Sequence, residues 1–226
     1  MENKNTFKRF RDALQQGIYA VINPFVHFLI RIGVTPNVVT TIGLLGNIAA
    51  AVVFVVAGMK GCPGNYNYGL VAIAGALIIA FSLFDMLDGQ VARLGNMASR
   101  FGALYDSVLD RYCELLSLGA IAYYLICVGM TIGALITFLA MVGSVMVSYV
   151  RARAEGLDIE CKVGFMQRPE RVVVTAIGAI ATGITGIYNP GAGAMIILLI
   201  AMSVIAVFAN ITAFARLAHC KKELKA

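Results

Sequence analysis

The sequence predicts an all-α fold: a polytopic membrane protein with six transmembrane helices and an N-terminal interfacial amphipathic helix. Three observations lead there. Of the 226 residues 60% are apolar and only 13% charged, against roughly 45–50% and about 25% in soluble domains, which excludes a water-soluble globule. Six segments are apolar over lengths near or beyond the ~20 residues that cross a bilayer. The basic residues, finally, gather on one side of those segments.

Met1 to Gln16 carries Lys4, Lys8, Arg9, Arg11 and Asp12 among few apolar residues. No small-residue cleavage site follows, so no removable targeting segment is expected. In the apolar stretch from Gly17 to Val34, Asn23, His27 and Arg31 recur every four residues along one helix face, the pattern of a helix lying in the interface. The apolar segments follow at 36–58, 69–94, 100–127, 130–155, 171–188 and 192–218. Turn chemistry separates several of them: Gly61-Cys62-Pro63-Gly64-Asn65, Gly95-Asn96 and Asn189-Pro190-Gly191. The expected domains are therefore 1–34, a cytoplasmic N-terminus with the interfacial helix; 35–218, the six-helix body; and 219–226, a basic cytoplasmic tail.

An even number of spans leaves both termini on one side. The tails, the connections at 94–100 and 155–170, and the span halves beside them hold every Lys and Arg except Lys60. The positive-inside bias then places both ends in the cytoplasm and the protein in the cell (inner) membrane. A net charge of +6 from 18 Lys and Arg is explained by that bias and by anionic lipid near Lys4, Lys8, Arg9 and Arg11, each worth about 1 kcal/mol. A nucleic-acid partner is not needed. Five cysteines without paired spacing indicate neither a disulfide framework nor a zinc site. No internal repeat supports an inverted-repeat transporter. The glycine and alanine content suits a homodimer packed through small-residue faces.

Asp85, Asp88, Asp106 and Asp110 fall inside or at the ends of two consecutive spans, where an ionised, unpaired carboxylate costs a few kcal/mol or more. The first two are three residues apart and the second two four apart, so each pair projects from one helix face. Because the chain turns back near Gly95, the pairs can face one another. Four oxygen donors suit a hard cation, Mg²⁺ or Mn²⁺, bridging a phosphate-bearing substrate. Arg93, Arg100 and Arg111 could instead balance the acids as an ion-pair cluster. Gly89 follows Asp88, and Gly102 lies one turn before Asp106. A missing side chain there admits a ligand close to the backbone, or simply lets helices pack.

The run Asp85-Met86-Leu87-Asp88-Gly89-Gln90-Val91-Ala92-Arg93, then eight residues, then Gly102, Asp106 and Asp110 resembles the signature of the CDP-alcohol phosphatidyltransferase family at all eight of its positions. The resemblance implies that an alcohol displaces CMP from a CDP-linked lipid. It implies Asp85, Asp88 and Asp106 as metal ligands, Asp110 as a ligand of a second metal or the general base, and two ions suited to phosphoryl transfer. It also implies that Gly89, Arg93 and Gly102 line the CDP site.

Arg151 and Arg153 end the fourth span, Arg168-Pro169-Glu170-Arg171 opens the fifth, and Arg216 sits inside the last. Arginines converging there would suit a phosphate on the acceptor; topology anchoring is the simpler role for Arg151, Arg153 and Arg168. Ser148-Tyr149-Val150-Arg151-Ala152-Arg153-Ala154-Glu155, the Arg168–Arg171 run, Val34 to Thr40 and Ser99-Arg100-Phe101-Gly102 are similar to the prokaryotic phosphatidylinositol-phosphate synthases within that family. That resemblance implies contacts of Asn37, Val38, Val39, Thr40 and Ser99 with CDP-diacylglycerol, and of Arg151, Arg171 and Arg216, with Arg153 beside them, with inositol phosphate. Glycerol 3-phosphate is the rival acceptor. From other classes, a cation channel or transporter would spread its acids along a path across the bilayer, and a lipid-binding scaffold would need no general base.

Overall fold

The computed structural model describes residues 22–225. Residues 22–31 form α1, followed by α2 (Pro36–Met59), α3 (Tyr68–Ser82), α4 (Phe84–Leu94), α5 (Arg100–Cys127), α6 (Thr131–Glu155) and α7 (Arg168–Tyr188). A 3-10 turn, Ala192–Ala194, leads into α8 (Met195–Glu223). Among the described residues there is no β-strand. Lys4, Lys8, Arg9, Arg11 and positions 17–21 of the expected interfacial helix lie outside the described residues.

Local chemistry accounts for most boundaries. Pro36 opens α2 and Pro169 lies in the first turn of α7, where a fixed φ and a missing N–H are tolerated. Glu170 in that turn meets the positive helix end. At Cys62-Pro63-Gly64-Asn65, Gly64 takes φ +95° and the Asn65 N–H donates to the Cys62 carbonyl at 2.8 Å, a proline–glycine turn of type II. After α4 it is Asn96, at φ +52°, that adopts the left-handed conformation, and the Met97 N–H donates back to the Ala92 carbonyl at 3.0 Å, closing the helix in Schellman fashion. The expected 69–94 span is interrupted once, at Leu83, so Asp85 falls in the first turn of α4. α8 continues to Glu223, making His219–Glu223 of the expected tail helical, with Lys221 and Lys222 at its negative end.

Five stretches are long and apolar enough to cross a membrane: Pro36–Met59, Tyr68–Leu94, Thr131–Glu155, Arg168–Tyr188 and Ala192–Glu223. This is a multi-pass membrane protein. α5, at 28 residues, is about 42 Å long at 1.5 Å per residue. Its first fifteen residues carry Arg100, Asp106, Asp110, Arg111 and Glu114, and that charge keeps it outside the apolar five. Outward side chains such as Ile132, Leu135, Phe214 and Tyr188 are more than half exposed, the surface expected where the solvent is lipid.

Contacts divide the described residues into two compact units, 22–43 with 83–109, and 44–82 with 110–225. In the first, Val26, Val39, Leu87 and Val91 form a small core, with Ile22, Leu29 and Ile30 packed on it. Phe25, Phe28 and Ile32 stay exposed, so α1 is apolar on a second side as well.

The second unit holds the large core. α6 packs on α8, and α7 on both α3 and α8. Small residues let these backbones approach: a Cβ on Gly75 would stand 2.8 Å from that of Ala179, and one on Gly183 2.5 Å from that of Ala72. Several hydroxyls inside helices bond to the preceding turn, as Thr137 does to the Gly133 carbonyl at 2.9 Å, whereas the buried hydroxyls of Ser117, Ser144 and Thr182 have no partner. The α6–α7 connection is tied along one face of α8: Met166 N–H to Thr212 Oγ1 at 3.3 Å, Arg216 Nε to the Val163 carbonyl at 2.9 Å, and Cys220 Sγ to Cys161 Sγ at 3.9 Å.

Candidate active site

In the first unit α2, α4 and the start of α5 border an open cavity of about 240 Å³. Asn37 and Thr40 from α2, Asp88, Gly89 and Arg93 from α4, and Ser99, Gly102 and Asp106 line it. Helix geometry explains who is missing. At about 100° per residue, four consecutive positions of α2 cannot all face one cavity. Val39 is 1% exposed within the small core, Val38 is 47% exposed, and neither lines the cavity.

Asp88 is 5% exposed and accepts the Thr40 hydroxyl at 2.7 Å. Gly89 leaves space beneath the Arg93 guanidinium, whose Nη2 would lie 3.4 Å from an added Cβ. At Gly102 a Cβ would stand 3.0 Å from Ser99 Oγ and 3.3 Å from Asn37 Oδ1, and the Gly102 N–H donates to Ser99 Oγ at 2.9 Å. Ser99 is thus the N-cap of α5, its oxygen taking a helix-end donor at the third position. That role was readable from a Ser just ahead of a helix.

The fields of Asp106 and Asp85 both act on Asp88. Acids placed so repel one another, and their all-oxygen donor set would fit a hard cation. Among the described residues no three Asp, Glu, His or Cys side chains stand close enough to enclose an ion by themselves. An ion here would take further oxygens from substrate phosphate and water, the usual manner of Mg²⁺. α5 runs on through Asp110, four residues beyond Asp106.

In the second unit, Asp110 Oδ1 pairs with Arg168 Nη2 at 2.9 Å, and Asp110 Oδ2 lies 3.6 Å from Arg111 Nη1. Arg171, 2% exposed, donates from Nε and Nη2 to the two oxygens of Glu114 at 2.5 and 2.9 Å, and from Nη1 to the Met166 carbonyl at 3.0 Å. Arg216, equally buried, donates to the carbonyls of Val163 and Val147 at 2.9 and 2.7 Å. Arg151 pairs with Glu155 at 2.8 Å; Arg153 is exposed. Arg216 lies within electrostatic reach of both Arg151 and Arg171, while Arg153 faces outward. Glu114 escaped the sequence reading, although Asp106, Asp110 and Glu114 repeat at intervals of four.

Membrane-crossing helices, an acid-bearing cavity and buried arginines define a class: multi-pass helical membrane proteins built to handle phosphate groups. The sequence model of the CDP-alcohol phosphatidyltransferase family matches residues 33–217, and the chain belongs to that family. It is 32% identical to the phosphatidylinositol phosphate synthase of Mycobacteroides abscessus over 182 residues, 80% of this chain and 78% of the relative. With the phosphatidylinositol phosphate synthase of Streptomyces avermitilis it shares 32% identity over 206 residues, 90% of this chain and 79% of the relative. The crystal structure of the Mycobacterium tuberculosis phosphatidylinositol phosphate synthase with CDP-DAG bound matches with a TM-score of 0.75 and 29% identity, covering 89% of this chain and 94% of that one. The same enzyme in complex with manganese and citrate also scores 0.75, covering 87% of each chain.

Proposed function

We propose that the protein transfers the phosphatidyl group of CDP-diacylglycerol to 1D-myo-inositol 3-phosphate, giving phosphatidylinositol phosphate and CMP. The observation that carries the donor half is the lining of one cavity by Asp88, Gly89, Arg93, Gly102 and Asp106, residues of a single family signature. The likeness to phosphatidylinositol phosphate synthases and the electrostatic reach of Arg216 to Arg151 and Arg171 support a phosphorylated acceptor.

On this reading Arg93 pairs with the pyrophosphate, Gly89 and Gly102 let it approach the backbone, and Asn37, Thr40 and Ser99 contact the donor. Val39 seats α2 in the small core, and the exposed Val38 stays among the donor contacts. The acceptor hydroxyl attacks the phosphorus bearing the diacylglycerol. A new O–P bond forms as the anhydride bond breaks, CMP leaves with the bridging oxygen, and the hydroxyl proton passes to Asp110. A carboxylate is a weak base, so the hydroxyl has to sit within hydrogen-bond reach of it; Arg168 fixes the carboxylate in place. Asp85, Asp88, Asp106 and Asp110 would hold divalent cations, Mg²⁺ or Mn²⁺ and two in number, which supply charge neutralisation at the pyrophosphate when bound. Arg151, Arg171 and Arg216, with Arg153 at the rim, hold the acceptor phosphate.

α5 is the sixth span in this reading, crossing with its charged end at the cytoplasmic face of the inner membrane. α1 lies in the interface, the body extends over 35–218, and the protein works as a homodimer. The decisive experiment feeds the purified protein inositol 3-phosphate, glycerol 3-phosphate or unphosphorylated inositol and follows CMP release with and without chelator. Preferred use of glycerol 3-phosphate rejects the inositol assignment. Ion flux in vesicles that depends on Asp110, with CMP release indifferent to Asp110→Asn, rejects the transferase.

A further inference from the structure

We propose that Glu114 is a positioning residue for the acceptor, holding the Arg171 guanidinium at a fixed angle for the acceptor's phosphate. This rests on the reading of Arg171 as a phosphate ligand and deepens it. Glu114 stands on α5 one helical turn beyond Asp110 and is 8% exposed. Both of its carboxylate oxygens are engaged by Arg171, through Nε and Nη2. Two parallel bonds fix the guanidinium plane, where a single bond would leave it free to turn. With the third bond to the Met166 carbonyl, three of the five N–H donors hold the group in place and two are left for a ligand.

The surroundings agree with such a role. Glu114 and Arg171 border a narrow pocket of about 20 Å³ together with Arg168 and Ser117, and the buried Ser117 Oγ has no hydrogen-bond partner. Asp110–Arg168 and Glu114–Arg171 make two successive ties between α5 and α7. The proposed base and the proposed phosphate ligand are therefore held by the same pair of helices, with their acids one turn apart. A tie that only joined the helices would not need this chemistry, because well-packed apolar side chains of similar volume generally replace a buried ion pair at no loss of stability. A carboxylate aligned on an arginine is what presenting that arginine requires.

The test uses the full chain in detergent or vesicles, measuring CMP release with inositol 3-phosphate varied at saturating CDP-diacylglycerol, and then the reverse. Glu114→Gln should raise the KM for the phosphorylated acceptor tenfold or more while the KM for CDP-diacylglycerol stays within twofold. Glu114→Asp, which keeps the charge, should recover part of that loss. The double variant Glu114→Gln/Arg171→Lys should be no worse than Arg171→Lys alone. Equal rises in both KM values, a fall in kcat only, or no change make Glu114 a plain cross-tie and overturn the proposal. If Glu114→Gln does not fold, Glu114→Asp is compared through the same two constants and judged by the same criteria. An unchanged acceptor KM in Arg171→Lys instead removes the phosphate-ligand reading, and the proposal falls with it; a raised acceptor KM in that variant with an unaltered Glu114→Gln removes the proposal alone.

Discussion

Asp88 of the first unit and Arg171 of the second are almost equally buried, at 5% and 2% exposure, yet they are treated differently. Asp88 borders an open cavity with Asp106 and Arg93 and feels the negative fields of Asp106 and Asp85 while accepting a neutral hydroxyl from Thr40. Arg171 is matched by a full opposite charge on Glu114 and by a carbonyl. Two charges of like burial are thus placed in different company, one in the lining of an open cavity and the other inside an ion pair. Burial alone says nothing about which is which; the partner does.

The contrast breaks most visibly if an acid of the first unit proves structural. Asp88→Asn should lower CMP release by on the order of 10³-fold or more, the scale of losing a directed electrostatic contact in a phosphoryl-transfer site, with an unfolding temperature equal to or above the parent's because a buried negative charge is removed. A chelator should abolish activity in the parent, and Mg²⁺ or Mn²⁺ restore it. Asp110→Asn should cost roughly 10²–10⁴-fold in kcat, the range of general-base catalysis, with the KM for CDP-diacylglycerol little changed.

Arg171→Ala tests the other side. It strands Glu114 without its partner and should destabilise the fold by about 3–5 kcal/mol, read by thermal unfolding in detergent; the double replacement of Glu114 and Arg171 by Leu should recover much of that. Ser99→Ala, which removes the α5 cap, should cost about 1 kcal/mol. The smallest effect belongs to the exposed Lys162–Glu160 pair at 2.7 Å. Glu160→Gln should leave the unfolding temperature unmoved, since exposed ion pairs contribute little. A loss there comparable to that of Arg171→Ala would mean that burial is not what separates the pairs.

Much of the first unit's cavity was legible because its residues sit close together in the chain. Asp88, Gly89, Arg93, Gly102 and Asp106 fall within 26 signature positions, and helical spacing alone assigns them to shared faces. The α2 stretch was legible only as a stretch: which of Asn37, Val38, Val39 and Thr40 faces the cavity depends on helix rotation, and that is set by Val39 packing with Val26, Leu87 and Val91. Arg171 and Arg216 stood out as buried cations, but their partners did not. Glu114 lies 57 residues from Arg171 and the Val147 carbonyl 69 from Arg216, separations at which sequence spacing carries no geometry.

Sequence by itself determined the helical class, the order and near-final bounds of the elements, and the register of the acids. All of these follow from local rules, namely apolar run length, turn residues and 3.6-residue periodicity. Tertiary structure alone decided the break at Leu83, the rotation of α2 that turns Val39 inward, and the pairing of Arg168 with Asp110 and of Arg171 with Glu114. Those outcomes depend on which side chains distant in the chain share a low-dielectric interior, where a charge has to find whatever partner packing brings to it.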